Sequence, residues 1–112
     1  MSTHPFLRKF NKQARETLSS IFLTDVSDPR LQSLTITSVD VSPDRSHAKV
    51  YYSAPKCEYK EVEQALKKSK AYIRTLMSQR LSWKLTPDLR FYLDMTIDHA
   101  QNIAKVIKKH RL

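Results

Sequence analysis

No glycine occurs anywhere in this chain of 112 residues. Every glycine-based phosphate cradle is thereby excluded, because the dinucleotide fingerprint, the P-loop and the nucleophile elbow all need a residue without Cβ. Such a chain reaches phosphates only through side chains and helix N-termini. Its turns fall to serine, aspartate and proline, at Ser27-Asp28-Pro29 and at Ser42-Pro43-Asp44-Arg45-Ser46.

Hydrophobic spacing places the elements between these turns. Phe6, Phe10, Ala14, Leu18, Ile21 and Phe22 trace one face of a first helix that opens near Pro5, with Ser2 or Thr3 as cap. It ends near Leu23, since Asp28 precedes a proline and is disfavoured in helical geometry. Residues 34–41 and 47–53 alternate as strands joined by the Ser42–Ser46 turn, an antiparallel hairpin. Leu34 and Ile36 alternate in one phase, Val39 and Val41 in the other, which predicts a bulge near Ser38. A long helix follows from about Glu58 to Leu81. Leu89, Phe91 and Leu93 mark a third strand, and Thr96 caps a last helix carrying Ile97, Ala100, Ile103, Ala104 and Ile107. The order α-β-β-α-β-α predicts an α+β fold, with helices packed on one face of a three-stranded sheet. The length suits a single domain over 1–112, with its core at about 5–107.

The charge is unevenly spread. Lys and Arg number 20 against 11 Asp and Glu, a net charge of +9. Residues 1–15 hold Arg8, Lys9, Lys12 and Arg15 with no acid, and residues 64–84 hold Lys67, Lys68, Lys70, Arg74, Arg80 and Lys84 with none. Residues 16–63 carry five basic and eight acidic residues, so the centre is net −3. Within the long helix, Lys67, Lys70 and Arg74 border the apolar stripe of Val62, Leu66, Ile73, Leu76 and Met77, and no carboxylate lies between Glu63 and Asp88. A ridge of unrelieved like charge suits an anionic polymer, whose counterions are released on binding. Tyr51, Tyr52, Tyr59, Tyr72 and Tyr92 are candidate stacking surfaces for single-stranded RNA.

Catalytic and metal chemistry find no support. His4, His47, His99 and His110 are scattered without ligand spacing, and Cys57 is a lone cysteine with no activating neighbour. The reading is of a non-enzyme without cofactor, metal or small-molecule substrate. No apolar run is long enough for a membrane span and no secretory signal opens the chain, so the expected compartment is the cytoplasm.

Ordered across nearly the whole chain are Asp28-Pro29-Arg30-Leu31, Ser42-Pro43-Asp44, Ala48-Lys49-Val50-Tyr51, Ile73-Arg74 and Pro87-Asp88-Leu89-Arg90-Phe91 with Asp94. This set resembles bacterial ribosome-binding factor A. The resemblance implies a type II KH-like domain with a kinked second helix. It also implies a non-catalytic assembly factor that binds 16S rRNA and the free small (30S) subunit, immature forms first; the expected helices leave no obvious second apolar face, so a monomer is expected. Late maturation, processing of the precursor rRNA 5′ end, cold adaptation and release by a ribosome-associated GTPase come with it. The cations expected to meet RNA are Arg8, Lys12, Arg45, Lys49, Lys67, Lys70, Arg74, Arg80 and Lys84. A basic DNA-binding or general RNA-binding domain is the alternative. Where the family has an Ala-x-Gly kink, this chain has Ser69-Lys70-Ala71. A straight helix of this length would span roughly 36 Å, about the diameter of a small domain, so an interruption or kink between Ser69 and Ala71 is expected.

Overall fold

The computed structural model describes residues 7–94. Helix α1 (Arg8–Thr24) leads into strands β1 (Thr35–Val41) and β2 (His47–Ser53), then helix α2 (Tyr59–Arg80) and strand β3 (Asp88–Leu93). The expected start near Pro5 and the last helix beyond Thr96 lie outside the described residues.

Helix α1 buries Ala14, Leu18, Ile21 and Phe22, the face its spacing marked. Beyond it, Asp28 is extended (ψ 117°), as a residue before proline must be. Its carboxylate accepts from Arg30 N at 3.0 Å and from Arg30 Nη2 at 2.8 Å. Those bonds close a short 3-10 turn that drops Leu31 into the core, 1% exposed. The Asp-Pro-Arg-Leu run is therefore a folding device.

β1 and β2 pair antiparallel, and the register slips between Ile36↔Tyr52 and Ser38↔Tyr51. Thr37 is the extra residue, and its Oγ1 lies 3.1 Å from Tyr51 O and 2.9 Å from Asp94 Oδ2. The bulge lets Ile36, Val39 and Val41 all face the core despite the change of phase. In the hairpin turn Asp44 Oδ1 accepts from Ser42 Oγ (2.7 Å), Ser46 N (3.0 Å) and Ser46 Oγ (2.8 Å). Those bonds pull its pKa down to about 2, the Ser42 hydroxyl contributing most. Arg45 sits at φ 59°, a left-handed position that glycine takes without strain. Its guanidinium lies 4.8 Å from the centroid of the Phe10 ring, and Trp83 meets the same ring edge-on at 5.2 Å.

β3 joins the other side of β2 in parallel, in the order β1-β2-β3. Parallel neighbours need a long crossover, and α2 supplies it. Both helices turn their apolar stripes to one sheet face, where Val39, Val41, Ala48, Val50 and Leu89 meet Leu18, Ile21, Leu66, Ile73 and Met77.

The expected interruption between Ser69 and Ala71 does not occur: α2 runs as one α-helix of 22 residues. Alanine at 71 favours the helix over glycine by about 0.8–1.0 kcal/mol, and Val62, Leu66, Ile73 and Met77 stay buried on both sides of the triplet. The segment between α2 and β3 absorbs the extra length. Leu81 turns extended (φ −92°, ψ 140°), and residues 81–87 double back towards the start of β3. On the way Trp83 Nε1 donates to Gln13 Oε1 of α1 at 3.0 Å.

Candidate nucleic-acid interface

The N-terminal half of α2 and the edge strand β3 enclose a cleft of about 480 Å³. Leu66, Phe91, Leu93 and Tyr52 give it an apolar lining; Lys67, Lys70 and Arg90 bring cations to it, with Glu63 and Tyr92 beside them. Burial raises the Tyr52 phenol's pKa, and the Glu63 charge adds to that. The cations stand on rigid elements, as a preorganised binding site requires.

The ridge of unrelieved charge expected on α2 is corrected here. Lys67 Nζ lies 3.4 Å from Glu63 Oε1, one turn back on the same helix. Lys70 Nζ lies 3.6 Å from Asp88 Oδ1 on β3, and Arg90 Nε is 3.9 Å from the other oxygen of that carboxylate. The two acids that bracket the basic stretch in sequence are the ones that fold against it. Such exposed pairs are worth about 0–1 kcal/mol each, so a phosphate can exchange with the carboxylate.

Arg74 also grips backbone. Its Nη2 donates to Thr86 O at 2.7 Å and its Nε to Pro87 O at 3.2 Å, pinning the returning segment where β3 begins. Arg80 is tied to the Asp25 carboxylate and donates to Ser20 Oγ at 3.1 Å, joining the C-terminal ends of the helices.

The other expected cations are dispersed. Arg8 and Lys12 are exposed on α1, Lys12 within 4.0 Å of Glu16. Arg45 is engaged with Phe10, and Lys84 is exposed beside Trp83. None of these four lines the cleft. Lys49 sits on the outer sheet face, directly opposite Arg90 in the β2–β3 register. Arg90 was missed because its alternation marks it as a solvent-side residue; only the parallel pairing puts it beside Lys49. Among the described residues, no group of His, Cys, Asp and Glu is arranged to hold a metal, and no helix is long and apolar enough to cross a membrane.

The family model described as ribosome-binding factor A matches residues 7–107. The chain belongs to the ribosome-binding factor A family. The family's protein from Methylobacillus flagellatus is 39% identical over 97 residues, 86% of this chain and 77% of that one. The crystal structure of ribosome-binding factor A from Thermus thermophilus has the same fold at a TM-score of 0.70 and 26% identity, over 76% of this chain and 91% of that one. A homology model of the Thermus thermophilus factor, fitted into a cryo-EM map of a 30S–RbfA complex, matches with a TM-score of 0.62 and 24% identity, over 75% of this chain and 90% of that one.

Proposed function

We propose that this member of the ribosome-binding factor A family binds the small ribosomal subunit through 16S rRNA and assists its late maturation, including processing of the precursor 5′ end. The observation that carries the reading is the family match across residues 7–107. The 30S complex of a Thermus relative supports the choice of partner. The protein acts as a binder and not a catalyst, as a monomer, in the cytoplasm, and prefers free, immature subunits. It works as a single type II KH-like domain over 1–112, with its core at about 5–107; the β2-α2-β3 crossover between parallel neighbours supports that assignment. Cold adaptation and GTPase-driven release belong to the same reading.

The α2–β3 cleft is the principal contact, with Lys67, Lys70 and Arg90 meeting phosphates. Lys49, Lys84, Arg8 and Lys12 extend the positive field, while Arg45, Arg74 and Arg80 shape the surface from behind. Phosphate contacts position and do not read sequence, so the shape of an rRNA junction supplies specificity. Sedimentation of the protein with small subunits, immature subunits and 70S ribosomes at matched salt tests this. Binding to small subunits, strongest for immature ones, is expected. Equal affinity for duplex DNA would favour a general nucleic-acid binder, and turnover of precursor rRNA by the pure protein would overturn the non-catalytic reading.

A further inference from the structure

The sheet face turned away from both helices carries two adjacent rows with a shared chemistry. In one, Tyr51 of β2 lies opposite Tyr92 of β3, ring centroids 5.7 Å apart and planes tilted by 32°. Tyr92 is 42% exposed. In the other, Lys49 lies opposite Arg90. Like charges directly opposite on neighbouring strands destabilise a sheet. Asp88 partly relieves Arg90 at 3.9 Å. Asp40 faces Lys49 from β1, yet Lys49 has no ion pair among the described residues. A phosphate between Lys49 and Arg90 would remove the repulsion, and next to it the half-buried Tyr51 and the exposed Tyr92 offer π faces to bases. Arg90 and Tyr92 also line the α2–β3 cleft, so the outer face and the cleft meet at the β3 edge.

We propose that this outer face is a second contact surface for single-stranded RNA, with Tyr51 and Tyr92 stacking on bases and Lys49 and Arg90 holding the backbone between them. A single strand seated in the cleft continues over the β3 edge onto this face. The inference rests on the RNA-binding reading above and adds a site to it.

The test measures binding of a fluorescein-labelled single-stranded oligouridylate, alongside binding to purified small subunits. Tyr51→Leu/Tyr92→Leu should weaken oligouridylate binding by at least the roughly fivefold to hundredfold expected for losing a single stacked base. Its salt dependence should stay unchanged, because no phosphate contact is removed. Tyr51→Phe/Tyr92→Phe keeps both rings and should bind like the unsubstituted chain. Photocross-linking of the unsubstituted chain to a 4-thiouridine version of the probe needs no variant, and should map to the 47–53 and 88–93 segments. Wild-type binding by the leucine variant, loss in the phenylalanine variant, cross-links confined to α2, or no oligouridylate binding at all would each overturn the second surface. Lys67→Gln/Lys70→Gln separates the two readings. If it weakens small-subunit binding while the leucine variant binds as the unsubstituted chain does, the outer face is overturned and the cleft stands; if the unsubstituted chain does not bind small subunits, the proposed function falls as well.

Discussion

Arg74 Nη2 donates to the Thr86 carbonyl at 2.7 Å, and through that bond α2 holds the strand that will become its partner across the cleft. A cation that spacing assigns to RNA thus also holds backbone. Arg74→Gln should lower the stability of the domain by about 1–2 kcal/mol, since two charge-assisted bonds to carbonyls are lost at a partly exposed site. Arg74→Lys should rescue little, because an ammonium cannot span both carbonyls as the planar fork does. Urea denaturation of the two variants checks this; wild-type midpoints for both would show that the grip contributes nothing.

Lys67 and Lys70 make only exposed ion pairs, so Lys67→Gln/Lys70→Gln should change the stability read from urea denaturation by no more than about 1–2 kcal/mol. Small-subunit binding should weaken, and the log–log salt slope should flatten by about one and a half units for two lost phosphate contacts. Titrations at several salt concentrations give the slope. An unchanged slope would remove both lysines from the interface.

Tyr59 carries a buried hydroxyl that finds no hydrogen-bond partner among the described residues, while its ring packs against the core. Tyr59→Phe keeps the ring and deletes an unsatisfied polar atom, so the variant should be as stable as wild type or more stable by up to about 1 kcal/mol. A fall in melting temperature would mean that the hydroxyl is satisfied in solution.

The hairpin turn should respond to acid. Asp44 titrates at about 2 in the folded chain against the usual 3.8, because three donors converge on its charged carboxylate. A carboxyl whose pKa falls on folding contributes stability above its unfolded value, and that contribution disappears as pH drops from about 4 to 2. NMR titration of the Asp44 carboxyl carbon should give a midpoint near 2, and Asp44→Asn should remove this part of the acid sensitivity. A midpoint near 3.8 would show that the turn does not hold the anion.

Local pattern and tertiary contact divide what was legible beforehand. The bulge at Thr37 was readable because it leaves a trace in the alternation: Ile36 and Val39 cannot both face inward without an extra residue. The antiparallel hairpin was readable from its turn. Asp88 as partner to Lys70 was not, because the parallel crossover that brings β3 beside α2 has no periodic signature. The interruption or kink expected at Ser69–Ala71 came from the family resemblance and from comparing helix length with domain size. That comparison omitted a returning segment able to pack along α1, as Trp83 does on Phe10 and Gln13.

Arg45, at φ 59°, is where a glycine-free chain strains its own fold, by of order 1–3 kcal/mol for a left-handed residue with a side chain. The counterweight lies in the denatured ensemble. At average usage a chain of this length would hold about eight glycines. Each one replaced at a compatible site narrows the conformations open to the unfolded chain, worth about 0.4–1 kcal/mol. Several kcal/mol of this protein's stability can therefore reside in no contact at all. Arg45→Gly would relieve the turn, but it would also return freedom to the coil and take the guanidinium off Phe10, so local relief of strain need not raise the melting temperature.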